Sequence, residues 1–200
     1  MRFERASSEE EMVSLFLRAE IGSKRWRPRL LEILHELKCP VSLLEETSVT
    51  RKDHNELRAE VLSRFRGYGH NRDLFEDYPP NIAWHWVVLD REELGRMKYV
   101  DYSYWNLLSG GSRRPMDAVH TIRNGTEIYG VSNQASLDGL EAVRQGITFL
   151  EPILVAPDPN GDLVILEGHG RMTIYALAGE DAPQQIRALL GLAPGFDAWL

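Results

Sequence analysis

The residues with the clearest chemical potential stand together as Glu167-Gly168-His169-Gly170-Arg171-Met172-Thr173, directly after the apolar run Leu163 to Leu166. That order predicts a strand, a tight glycine turn and a helix. Glycines let backbone N–H groups converge, the first helical turn leaves donors without intrahelical partners, and the helix dipole favours an anion there. Arg171 adds a planar guanidinium fork, Thr173 a hydroxyl, and His169 a proton donor or acceptor near neutral pH. The expected chemistry is phosphate binding, with Glu167, Gly168, Gly170, Arg171 and Thr173 as the binding set. A plainer alternative is a tight turn in which Arg171 merely pairs with Glu167, and a short GxG match does not separate the two.

Phosphate transfer also needs a group that accepts a hydroxyl proton. Asp101 lies among aromatics ahead of a glycine-serine loop, and Glu151 precedes the run Pro152 to Ala156. With His169 they form the expected catalytic set. Ser109-Gly110-Gly111-Ser112-Arg113-Arg114 offers flexible N–H donors and two guanidinium groups. Ser109, Ser112 and Arg113 are expected to close over an anionic substrate, or else to form a surface loop before a helix near Pro115. Tyr99, Tyr102, Tyr104 and Trp105 supply a pocket wall or core. His35, His54, His85 and His120 show no paired ligand spacing, and Cys39 is the only cysteine. No protein-only metal site and no intrachain disulfide is therefore expected.

The elements that must carry these residues are legible in part. Ser8 with Glu11 forms a capping box ahead of Met12, Leu15, Phe16 and Ala19 at helical spacing. Pro28 opens a second helix through Leu30, Leu31, Leu34 and Leu37. Thr50 to Phe65 predicts a third, closed by Gly67. From Asn81 the texture changes: Ile82 to Leu89 favours a strand, Asp90 with Glu93 caps a short helix, and helices follow around Met116 to Ile122 and Leu137 to Val143. Pro152 to Ala156 and Leu163 to Leu166 flank an Asn160-Gly161 turn and predict a hairpin. The division expected is a helical extension over 1–78 and an α+β domain with a small mixed sheet over 79–200.

Charge is split along the chain. The 200 residues carry a net charge of -7, which opposes general attraction to polyanions. Lys24 to Arg72 holds 11 basic and 7 acidic residues, a balance of +4, leaving 12 basic against 23 acidic elsewhere. Two segments stand out there: Lys24-Arg25-Trp26-Arg27-Pro28-Arg29, and Arg64 to Arg72 with Phe65, Tyr68 and His70. Cations mixed with aromatics hold phosphates or stack on bases, or else form solvated helix ends. Nucleic acid is thus disfavoured in general and admitted only through residues 24–72. No apolar run is long enough to span a bilayer, and Met1 to Glu11 lacks the apolar stretch of a signal peptide, so the expected address is cytoplasmic with no membrane partner.

Leu140 to Gly179, GLEAVRQGITFLEPILVAPDPNGDLVILEGHGRMTIYALAG, resembles the core of the ParB and sulfiredoxin superfamily. The shared pattern is a helix ending at glycine, a Pro-Ile-Leu-Val strand, a hairpin, and a glycine box whose arginine opens a helix. The box differs from the Gly-Cys-His-Arg of sulfiredoxins, since His169 stands where the sulfur nucleophile would be. It differs too from the Gly-Glu-Arg-Arg of chromosome-partitioning members. It is most similar to the Asp-Gly-His-x-Arg box of free-serine-kinase-like members, with Glu167 replacing aspartate. The resemblance implies that Gly168 to Arg171 hold nucleotide phosphate, from ATP or ADP with Mg²⁺, and that the chain phosphorylates a small hydroxyl-bearing metabolite. The alternative is a noncatalytic nucleotide- or nucleic-acid-binding module of the same fold. Nuclease action would need clustered metal-binding carboxylates that the sequence does not offer.

Overall fold

The computed structural model describes residues 1–200, and the chain is an α+β protein with a six-stranded mixed sheet. It forms two compact units, Ala6–Trp84 and Met1–Arg5 with His85–Leu200. The expected boundary near residue 78 is therefore displaced at both ends. The first residues belong with the sheet, because Arg2–Ala6 is a strand (β1) beside Ala83–Asp90 (β2).

In the helical unit, α1 spans Glu9–Ile21, α2 Arg27–Glu36, α3 Ser42–Glu45 and α4 Lys52–Arg66. The Ser8 hydroxyl accepts from the Glu11 amide at 3.4 Å, and Glu9, Glu10 and Glu11 crowd the first turn where the dipole favours them. Gly67 ends α4 at φ +82°; a β-carbon there would sit 2.4 Å from the Arg72 carbonyl oxygen, so only glycine fits. Met12, Phe16, Leu30, Ile33, Leu62 and Phe75 are among the side chains buried in this unit. Arg58 is buried completely. Its Nε donates to Leu43 O at 2.9 Å, Nη1 to Ser48 O at 2.9 Å and Asn55 Oδ1 at 3.1 Å, and Nη2 to Glu46 O at 3.0 Å. A second Nη2 contact reaches Glu46 Oε2 at 3.4 Å. Every donor of the guanidinium thus meets an acceptor. Burial pushes the Arg58 pKa down, with Glu46 opposing.

In the sheet unit, β3 (Met97–Tyr99), β4 (Ile153–Ala156), β5 (Leu163–Glu167) and β6 (Gln185–Leu192) complete the order β1-β2-β6-β4-β5-β3. β4 and β5 are the expected antiparallel hairpin, with Ile153 opposite Glu167. β4 runs parallel to β6, and β3 parallel to β5. Helices α5 (Ser103–Leu108), α6 (Pro115–Arg123), α7 (Gln134–Arg144) and α8 (His169–Ala178) complete the unit, α8 packing against both α6 and α7. Leu154, Ile165, Met172, Tyr175 and Ala188 lie in its core. Gly139 of α7 lies directly over Ile174 of α8, where a β-carbon would stand 2.3 Å from Ile174 Cδ1. The Asp90–Glu93 capping box is present, yet it opens a 3-10 segment, Arg91–Arg96.

Candidate functional site

Strand β5 ends at Glu167, Gly168 turns the chain, and α8 starts at His169. Gly168 holds φ +107°, and a β-carbon there would come within 3.1 Å of Pro152 Cβ and of Arg171 Nη2. Glycine is therefore required both by backbone conformation and by the neighbouring chain. Gly170 differs: it is exposed, and a β-carbon on it would have no atom within 4 Å. No side chain caps α8 and no acidic residue lies in its first turn. The helix thus starts without an N-cap side chain, and the Glu167 carboxylate that precedes the turn is engaged by Arg171.

The other predicted binding residues divide. Arg171 Nη1 donates to Leu150 O at 3.0 Å, and Nη2 pairs with the Glu167 carboxylate; the two side chains are 16% and 14% exposed. The Glu167–Arg171 pair of the plainer sequence reading therefore forms, and it holds the guanidinium beside the turn. Thr173 corrects the expectation of a ligand-facing hydroxyl. It is buried, donates to His169 O at 2.8 Å and lies 2.6 Å from the Tyr99 hydroxyl, so it fastens the start of α8 to β3.

Of the catalytic set, His169 stands in an aromatic stack. Its ring lies 5.2 Å from Trp105 at 14° and 6.0 Å from Tyr99 at 21°, while Tyr99 and Trp105 stack at 4.5 Å. Its Nε2 is shielded from solvent. Burial pushes the Tyr99 phenol well above its usual pKa, against the Thr173 hydrogen bond, so it is a neutral group at physiological pH. Glu151 adjoins Pro152, the residue packed on Gly168, and lies 3.4 Å from Arg187 Nη1. Asp101 is exposed and accepts from Asn106 Nδ2 at 2.6 Å.

The glycine-serine loop has its polar groups turned to the protein. Ser109 is buried; its hydroxyl donates to Trp105 O at 2.7 Å and accepts from the Arg113 amide at 2.8 Å. Ser112 donates to Ser109 O at 3.1 Å and accepts from the Arg114 amide at 3.1 Å. Arg113 spends its guanidinium on Tyr99 O, Leu200 O and Trp199 O at 3.0, 2.9 and 2.6 Å. The expectation that these three close over a substrate gives way to a loop stapled on itself and on the chain's last turn.

The fold thus brings Glu167, Gly168, His169, Gly170 and Arg171 together with Leu150 to Pro152 on one side and with Tyr99 and Trp105 on another. The contribution of Leu150 is a backbone carbonyl, invisible to any reading by residue type. The density of aromatics around Trp105 was the available signal for the stack. Two cavities, of about 380 and 550 Å³, lie in the helical unit and are lined by none of the predicted site residues. No group of three His, Cys, Asp or Glu side chains is placed to hold a metal ion, and no helix is long and apolar enough to cross a membrane. No family model, curated protein or solved structure matches the chain.

Proposed function

We propose that the chain is a nucleotide-dependent phosphotransferase acting on a small hydroxyl-bearing metabolite, built on a ParB/sulfiredoxin-like core. One observation carries the reading: α8 begins with neither a capping side chain nor an acidic residue, beside Arg171 and under the open approach at Gly170. A phosphate entering there meets first-turn amides, the positive end of the dipole and a guanidinium fork. Gly168, by contrast, serves the turn, since Pro152 and Arg171 fill its flank.

Glu167 holds Arg171 until a phosphate of ATP or ADP, more highly charged than a carboxylate, competes for the fork. A magnesium ion bound with the nucleotide would supply charge neutralisation, held chiefly by phosphate oxygens, as suits a site without three clustered acidic or histidine ligands. Glu151, flanking the turn through Pro152, is assigned the acceptance of the hydroxyl proton. His169, gripped by Trp105 and Tyr99, positions the first turn. Asp101 borders the same aromatic stack through Asn106 and has the weaker claim.

A specific observation favours a second reading, a noncatalytic nucleotide-binding module: with His169 Nε2 shielded, proton acceptance falls to Glu151, whose carboxylate already lies 3.4 Å from Arg187 Nη1. Incubation with ATP or ADP, magnesium and a panel of amino acids and sugars separates the two by the appearance of phosphorylated product. Arg171→Ala is expected to weaken nucleotide binding by about tenfold or more, the worth of a charge-assisted hydrogen bond, with the fold retained. Unchanged affinity removes Arg171, and with it the proposed seat.

A further inference from the structure

The two basic segments of the sequence meet in the helical unit. Trp26 carries the guanidinium carbon of Arg25 4.5 Å from its ring centroid and that of Arg66 at 4.6 Å, and its ring meets Phe65 edge-on at 5.6 Å. The turn before α2 and the end of α4 therefore form one surface of cations mounted on aromatic rings. Stacking on an indole occupies a guanidinium face and leaves its N–H edges outward.

The charge of this surface is only partly answered. Arg66 lies 3.6 Å from Glu20, Arg29 3.0 Å from Glu32, and Arg64 2.6 Å from Glu60 and 3.5 Å from Glu36. Lys24, Arg25 and Arg27 are exposed and have no carboxylate partner; Arg27 reaches only the Ile21 carbonyl oxygen, at 3.1 Å. These cations also crowd the first turn of α2, which has no acidic residue and no side-chain cap. Positive charge at that end opposes the helix dipole, so the arrangement costs stability in the isolated protein. The acidic remainder of the chain does not cancel it locally, because exposed charges are screened beyond about 8–10 Å.

We infer that this surface, independently of the site at α8, binds single-stranded nucleic acid, with Lys24, Arg25 and Arg27 on phosphates and the Arg25 guanidinium sandwiched between Trp26 and a base. Phosphate answers the unpaired charge and the dipole together, and an exposed base supplies the second face of the stack. Paired bases of a duplex do not offer that face.

The test is fluorescence anisotropy of a labelled oligothymidylate of about 16 nucleotides with the full chain, titrated at low and at about fourfold higher salt. Two or three phosphate contacts on a single strand predict a loss of roughly seven- to twentyfold in affinity over that interval. Arg25→Glu is expected to abolish binding while raising the thermal midpoint by roughly 2–4 °C, since it removes the clash with the dipole. Trp26→Ala, at unchanged charge, is expected to weaken binding about fivefold or more through lost stacking; circular dichroism verifies the fold, and Lys24→Ala stands in if that variant does not fold. Absence of salt-sensitive binding overturns the inference. So does equal binding of inorganic polyphosphate, which has charge and no bases, preference for a duplex of the same length, or affinity unmoved by Arg25→Glu.

Discussion

Arg58 of the helical unit and Arg171 of the sheet unit are both held by the chain's own oxygens, yet they differ in how much of each is committed. Arg58 is wholly buried, and its donors end on the carbonyls of Leu43, Glu46 and Ser48 and on the side chains of Asn55 and Glu46, drawing the segment between α3 and α4 around one cation. Arg171 keeps some exposure and is held by one carbonyl and one carboxylate, next to an uncapped helix start. An arginine inside a ring of backbone carbonyls is a structural pin. One held by a carboxylate can exchange that anion for another.

Breaking the pin gives the largest expected effect. Arg58→Leu strands several carbonyls and is predicted to cost about 3–5 kcal/mol, read from urea denaturation followed by circular dichroism; a loss below about 1 kcal/mol would show that the loop holds without it. Arg171→Ala, by the same measurement, should cost clearly less, because its partners reach solvent more easily. The turn itself sharpens the contrast. Gly168→Ala is predicted to cost about 1–3 kcal/mol, from positive φ and contact with Pro152, whereas Gly170→Ala stays within about 1 kcal/mol because its flank is open. If Gly170 is where phosphate approaches, Gly170→Ala lowers nucleotide affinity without that stability loss.

The smallest effect concerns a third arginine held by a carboxylate. Asp162 accepts from Arg114 at 2.8 Å and lies 3.1 Å from Lys98. Partial burial pushes its carboxyl up, but the bonds from Lys98 and Arg114 outweigh it and hold the pKa below the ordinary 3.8. Its stabilisation is complete above that ordinary value and is lost as pH falls through the lowered one. Asp162→Asn should therefore cost about 0.5–1 kcal/mol at neutral pH, with the gap between the two proteins closing only under strongly acid denaturation.

Local signals carried the longer helices and the turn, but neither α3 nor α5. The Ser8 N-cap, the Gly67 cap, the Asn160-Gly161 hairpin and the glycines around His169 each specify their neighbours within a few residues, and each appears where the sequence places it; of the Ser8 box only the Ser8 half is seen, the Glu11 carboxylate accepting from the Ser7 hydroxyl. Three strands were not legible. Arg2–Ala6 is exposed at every position and owes its conformation to β2, some eighty residues away. Met97–Tyr99 is too short to show a period. Gln185–Leu192 is rich in leucine, alanine and glycine, which have no strong preference for strands, and its parallel pairing with β4 is a tertiary choice. The box was legible as a turn, while the engagement of Thr173 by the Tyr99 hydroxyl, and of Arg113 by Tyr99 O and by the carbonyls of Trp199 and Leu200, joins segments far apart in sequence that residue spacing does not encode.

The bare face of Gly139 has a mechanical consequence. With no side chain between them, the backbone of α7 rests on Ile174, one turn along from the residues that open α8. Two rigid rods meshed this closely have no slack to absorb a displacement. A displacement of α7 is therefore expected to carry α8 with it, and Gly139→Ala, which drives a β-carbon into Ile174, to push the two helices apart.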